Sequence, residues 1–224
     1  MVVCSDVERE SLQAYLPEEQ VWVVPNGVDR QLFWPRGVAP VAKRLLFFGR
    51  LDYFPNRDAI EFFLEAIWPS IRQTHPAAEF HVAGAGADPR LRQLLAAAPG
   101  VVFNGRVDDL GALVETAAVV VVPLRSGGGT RLKILESLAT GRPVVSTTVG
   151  AEGLDLRSER ELVLADGATA FAEAVRALLD DPGRAKALGE RGLQKVRACY
   201  DWDAIEDAFG ARVLGLVKPR ETTG

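Results

Sequence analysis

Histidine and cysteine are almost missing from this chain of 224 residues, at two of each. Cys4 and Cys199 stand far apart and match no metal-ligand or redox spacing, which removes zinc-site and dithiol chemistry and leads us to expect a reducing, cytoplasmic setting. His75 and His81 have no sequence partner that suggests acid–base catalysis, so structural roles are expected for both. A basic excess is lacking too. Lys and Arg number 26 against 30 Asp and Glu, and the resulting formal charge of −4 has the wrong sign for a partner of nucleic acid. No apolar run approaches the roughly 20 residues of a membrane span. The opening MVVCSDVERE lacks a basic segment followed by an apolar one, so no export signal is expected. What remains is a globular composition, 48% hydrophobic and 25% charged with 21 glycines. A chain of this length can bury about 70% of its unfolded surface.

The organisation follows from periodicity. Val2 to Cys4 reads as a short strand, and Ser5 with Glu8 spells a capping box for a helix running to about Tyr15. Val21 to Val24 reads as a second strand, closed by the turn formers Pro25, Asn26 and Gly27. FWPRGVAPVAK carries two prolines and little periodicity and reads as a linker, with a boundary near residue 40. Beyond Lys43, the apolar runs LLFF, FHVA, VVF, VVVV and PVVS alternate with helical spacing, the pattern of a parallel sheet wrapped by helices. From Asn56 to His75, Ile60, Phe63, Leu64, Ile67, Trp68 and Ile71 make one apolar stripe, and Pro69 should kink that helix. Three helices are expected at the end: Ala168 to Leu179, Pro182 to about Cys199, and about Asp203 to Val217.

The stretch GGGTRLKILESLATGRPVV, residues 127–145, is the most informative. It follows the run VVVVPL and opens a helix, which places it at the carboxyl edge of the sheet, where open α/β proteins bind ligands. Glycines without side chains beside the free amides of a helix start can hold a phosphate, although glycine runs also form plain turns. On that helix Leu132, Leu135, Leu138 and Ala139 are expected inside, with Lys133, Glu136, Ser137 and Thr140 outside. Lys133 and Glu136 then form either a surface ion pair of about 0–1 kcal/mol or a phosphate ligand and an acceptor for two sugar hydroxyls. In LLFFGRLDYFPN, Gly49 permits close approach, and Arg50 is either a surface arginine or a two-pronged clamp for a diphosphate. Gly84-x-Gly86 reads as a turn. Asp201 and Asp203 read as helix caps and not as a metal site, and no metal site is expected elsewhere. The stripe Ile205, Phe209, Val213 and Leu216, followed by Lys218 and Arg220, either packs on protein or touches a membrane surface; protein packing is the expectation.

From about Val23 to Leu154 the chain resembles the carboxyl-terminal, donor-binding domain of a GT-B-fold glycosyltransferase of family four, through VPNGVD, FFGRLDYFPN, VAGAG, VVFNGRVDDL and above all PLRSGGGTRLKILESLATGRPVVSTTVGAEGL. The resemblance implies a Rossmann-like parallel sheet flanked by helices. It divides the chain into residues 1–40 as a remnant of an amino-terminal domain with its linker, 41–200 as the donor-binding domain, and 201–224 as a crossover helix and tail. It implies a nucleotide-diphosphate sugar as donor substrate with no further cofactor, and retaining transfer to an acceptor in polysaccharide or glycoconjugate synthesis. Carried over by position, Arg50 would contact the diphosphate, Glu136 the ribose hydroxyls, Arg106 and Val107 the base through their backbone, and the amides of Gly129 and Thr130, beside Gly128, the distal phosphate. Gly49 would lie against the donor, and Lys133 is inferred as an added phosphate ligand.

Two departures bear on this. The family often has two glutamates separated by seven residues; Glu136 is the second, but the first falls on Gly128. It often has a lysine six residues after the arginine; here that position is Asn56, and Arg57 or Lys133 would have to substitute. Both fit a glycine-rich branch of bacterial polysaccharide enzymes. Only the last strand and helix of an acceptor-binding domain are matched, which implies a fragment or a half-enzyme whose acceptor half acts in cis or in trans. A binding module without turnover and a sugar-nucleotide epimerase of the same fold are the competing readings.

Overall fold

The computed structural model describes residues 1–17 and 20–217, with side chains through residue 215. At the amino terminus, Val2–Val3 (β1), the helix Asp6–Leu12 (α1) and Trp22–Val23 (β2) form a small unit. Its cap follows the sequence: Ser5 Oγ accepts the Glu8 amide at 3.2 Å, while the Glu8 carboxylate accepts the Cys4 amide at 2.7 Å. The first strand pairs in parallel with β2 at Val2–Trp22 and Val3–Val23.

The main sheet contains Arg44–Phe48 (β3), Glu79–Ala83 (β4), Val101–Gly105 (β5), Val119–Val122 (β6), Val144–Ser146 (β7) and Val163–Leu164 (β8). All pairings are parallel, in the order β5-β4-β3-β6-β7-β8. From β3 the chain winds outward through β4 to β5; it then returns to β6 on the other side of β3 and winds the opposite way. That reversal splays the loops leaving β3 and β6 and opens a crevice beyond their carboxyl ends. Every side chain of β6 is buried, as expected of a strand covered on both faces.

The helix after β3 shows how the chain absorbs a proline. Phe54–Phe62 (α2) passes into a π-helical turn, Phe63–Ile67, and resumes as Trp68–Thr74 (α3) with Pro69 in its first turn. Proline lacks the amide that would continue the ladder, and the wider turn accommodates its ring. All six residues of the predicted stripe are buried, and Phe63 lies 4.4 Å from Phe80 between ring centroids. The remaining α-helices among the described residues are Pro89–Ala97 (α4), Leu110–Glu115 (α5), Leu132–Ala139 (α6), Ala168–Asp180 (α7), Pro182–Cys199 (α8) and Trp202–Val217 (α9).

The segment between β2 and β3 has no regular element, yet it is pinned to the body. Val28 and Phe33 are buried in the main core, and the Val28 amide donates to Tyr200 O at 2.9 Å. Arg36 binds Asp109, and its amide donates to the buried Glu115. Asp201 and Asp203 both bind Arg30, at 3.3 and 2.5 Å, and Asp201 accepts the Asp203 amide as a cap, so their carboxylates are taken by protein. Helix α9 crosses back over β2: Ile205 is buried, Phe209 meets the edge of Trp22 at 6.0 Å, and Arg212 lies over that indole at 4.3 Å. Val213 is exposed; the Leu216 side chain, Lys218 and Arg220 lie outside the described residues. Among the described residues no helix is long and apolar enough to cross a membrane.

Helix α6 is pressed between β7 and α8, and glycines on α8 permit the contact. A Cβ at Gly189 would collide with the carbonyl of Gly141, whereas one at Gly210 of α9 would meet nothing within 4 Å. Gly189→Ala should therefore destabilise the protein by about 1–3 kcal/mol through overpacking. Gly210→Ala should stabilise it by about 0.5–1 kcal/mol through helix propensity. Urea unfolding of the two variants checks both signs.

Candidate functional site

A cleft of about 860 Å³ occupies the crevice at the β3/β6 reversal. Gly49, Arg50, Gly128, Thr130, Lys133 and Glu136 line it, joined by Asn56, Tyr53, Leu110 and Arg131. Asn56 and Lys133, 77 positions apart in sequence, are thus brought together by the topology. Three sequence-predicted residues are not in its wall. Arg106 is exposed, and Val107 packs partly against the core; in their place Leu110, at the start of α5, reaches the cleft. Gly129 instead lines a separate small cavity, with Ser5, Glu8, Glu152 and Gly153, and Thr130 borders both spaces.

Arg50 stands on the rim with its side chain 79% exposed, and its fork is already engaged by Asp52 through Nε–Oδ1 at 3.1 Å and Nη2–Oδ2 at 2.5 Å. An arriving anion meets this guanidinium only by sharing it with Asp52 or displacing that carboxylate. Lys133 holds a more interior place. Its ammonium donates to Asn56 Oδ1 at 2.6 Å, lies 4.2 Å from the centroid of Phe47, and would be 3.1 Å from a Cβ at Gly49. Asn56 Nδ2 in turn donates to Arg50 O at 2.7 Å. Asn56 thus stands where a lysine was expected, and its amide draws in Lys133 from α6. Arg57, the other candidate, is turned to Asp88 at 2.7 Å.

The outward face predicted for α6 needs correction. Ser137 and Thr140 are fully buried, because α8 covers the side of the helix away from the sheet; their hydroxyls bond back to Lys133 O at 2.6 Å and Ser137 O at 2.8 Å. Leu132, expected inside, is 42% exposed on the cleft wall, and Ile134 takes the inner position. Lys133 and Glu136 do share the cleft, but no ion pair joins them among the described residues. Burial pushes the Lys133 ammonium down to about 7, Glu136 opposing and Arg131 reinforcing the shift. Burial likewise pushes the Glu136 carboxyl up to about 7, against the pull of Lys133. Glu136 has no hydrogen-bond or ion-pair partner among the described residues, so both its oxygens are available to a ligand.

Sequence reading missed Arg131. It is 7% exposed, and its Nη1 donates to the carbonyls of Gly128 and Gly129, the latter at 2.9 Å, while Nε and Nη2 have no partner among the described residues. An arginine two positions after three glycines carries no periodic signal that would mark it as internal. Gly127 and Gly129 have φ of 118° and 77°, which only glycine adopts without strain. Gly128 has no positive φ, and a Cβ placed there would meet no atom within 4 Å, so its lack of a side chain is not a backbone demand. Thr130 Oγ1 accepts from Asn26 Nδ2 at 2.8 Å, which ties the loop to the turn after β2. His75 binds Asp180 and His81 binds Glu79, both away from the cleft.

Residues 42–181 match the family described as Glycosyl transferases group 1. The chain is 30% identical over 203 residues to the glycogen synthase of Mycobacterium tuberculosis, covering 84% of this chain and 47% of that protein. It superimposes on sucrose-phosphate synthase from Thermosynechococcus elongatus with a TM-score of 0.75 at 25% identity, over 96% of this chain and 57% of the other. Anabaena Alr3699/HepE, solved in complex with UDP, gives a TM-score of 0.79 at 15% identity, over 96% and 63%. The chain spans about half the length of the curated relatives it matches.

The paired shifts make stability depend on pH in a defined way. Between pH 4.5 and 7 the folded chain keeps a proton on Glu136 that the unfolded chain has released, so this group's contribution falls as pH rises. Between pH 7 and 10.5 the unfolded chain keeps a proton on Lys133 that the folded chain has lost, so the second contribution climbs. Lys133→Met should remove the alkaline rise, about 2 kcal/mol between pH 7 and pH 9 relative to the parent. Parallel urea-unfolding curves for the two proteins across that interval would refute the assignment.

Proposed function

The chain belongs to the group 1 glycosyl transferases, and on that footing we propose that its cleft binds a nucleotide-diphosphate sugar as the donor half of a retaining glycosyltransferase. One observation carries the reading: a half-buried amino group, Lys133, and an unpartnered carboxyl, Glu136, stand one helical turn apart beneath a loop of free amides. A diphosphate next to a ribose asks for that arrangement, positive charge for the phosphates and a two-acceptor group for the vicinal hydroxyls.

In the reaction, the bond between the sugar's anomeric carbon and the diphosphate oxygen breaks, and the electron pair leaves with that oxygen. A new bond forms from the anomeric carbon to an acceptor hydroxyl oxygen, whose proton is released. Negative charge grows on the departing diphosphate, and donors already fixed in place stabilise it without reorganising. Lys133 would be one such donor, and Arg50 a second once Asp52 yields its fork. The acceptor, a sugar of a polysaccharide or glycoconjugate, would be presented by an amino-terminal unit in cis or in trans.

Glu136→Gln should weaken UDP-sugar or GDP-sugar binding about 10- to 150-fold, the loss of one charged hydrogen bond of roughly 1.5–3 kcal/mol. Calorimetric titration of parent and variant measures it, and equal affinities would remove the carboxyl from the ribose site. Donor consumption that requires an added sugar acceptor separates transfer from binding alone.

A further inference from the structure

Arg131 is buried, charged and adjacent to the glycine loop, yet nothing in the donor reading uses it. Its Nη1 draws the carbonyls of Gly128 and Gly129 toward one point. All peptide bonds among the described residues are trans, and in a trans peptide the carbonyl and the following amide point in opposite directions. With both carbonyls turned to the guanidinium, the amides of Gly129 and Thr130 are turned away from it, at the point where Thr130 borders both the cleft and the small cavity that Gly129 lines. Neither amide donates a hydrogen bond among the described residues, and a Cβ built on Gly128 or Gly129 would meet no atom of the rest of the chain within 4 Å.

We propose that Arg131, which borders the cleft, acts as a positioning residue: by holding two carbonyls it aims two amides at the terminal phosphate of a nucleoside diphosphate. The inference rests on the nucleotide-sugar reading and adds to it a division of labour within the loop. Gly127 and Gly129 supply the positive-φ positions that the loop requires, and the guanidinium fixes which way the carbonyls of Gly128 and Gly129 face. The same guanidinium stands close enough to Lys133 to disfavour its charge. Two cations are thus gathered with one free carboxyl, and an anion on the loop is what the cluster lacks.

The amides reach only the distal phosphate, so the test compares ligands that differ by that group. UDP and UMP, and GDP and GMP, are titrated into the 224-residue parent, Arg131→Met and Arg131→Lys. The parent should bind the diphosphate of its preferred base more tightly than the monophosphate. In Arg131→Met the diphosphate should lose about 10- to 100-fold, as expected for lost hydrogen bonds to a charged group, while the monophosphate changes less than about threefold. Arg131→Lys, which can still donate to both carbonyls, should recover part of the loss. A purely structural role would weaken both ligands alike, and that result would overturn the proposal. If Arg131→Met does not fold, amide NMR of the parent decides: UDP or GDP, but not the monophosphate, should move the Gly129 and Thr130 resonances, and a bound diphosphate that leaves them in place overturns it. A parent that binds neither diphosphate refutes the donor reading itself, and this inference with it; a parent that binds one with no dependence on Arg131 refutes this inference alone.

Discussion

The site depends on keeping the Lys133 ammonium in a place that disfavours its charge. Removing an ammonium from water costs several kcal/mol in a real protein. Here one hydrogen bond to Asn56 and the face of Phe47 offset only part of that loss. The remainder is visible as a proton affinity that falls to neutrality, with Glu136 displaced in the opposite sense to the same value. A group so placed is stabilised by whatever anion settles over it, and that is how a binding cleft stores affinity before a ligand arrives.

The fold makes this placement possible in two steps. The reversal between β3 and β6 brings Asn56 and Phe47, from one strand–loop–helix unit, up to α6 from another. Helix α6 is then clamped on its second side by α8, so that its position against the sheet is fixed to within the small tolerance of a glycine contact. The inward Ser137 and Thr140 are a consequence of that clamp: their hydroxyls bond to carbonyls of their own helix backbone.

Much of this was legible in the sequence, and the failures have physical reasons. The strands of the main sheet other than β8 and the final three helices follow from apolar runs and periodicity, because burial on both faces of a sheet leaves little choice of residue. The strand β8, two residues long at an edge, gives no such run. Periodicity assigns one buried stripe to a helix, so it misplaced Ser137, Thr140 and Leu132 on α6, which is covered from two directions. Six of the nine predicted site residues share the cleft, since loops at one sheet edge can be counted off a βαβ pattern. The partners of those residues could not be counted in that way. That Arg50 would pair with Asp52, or that Asn56 would recruit Lys133 while Arg57 turned to Asp88, depends on side-chain directions that spacing does not encode.

The contact between Asn26 and Thr130 spans 104 positions of sequence and joins two parts of the molecule that share no sheet. Asn26 belongs to the turn that follows β2, and Thr130 to the wall dividing the two cavities. A tilt of the small amino-terminal unit relative to the main sheet must therefore either stretch this bond or carry the threonine with it. The loop's geometry is in this way tied to the seating of the small amino-terminal unit as well as to the main sheet.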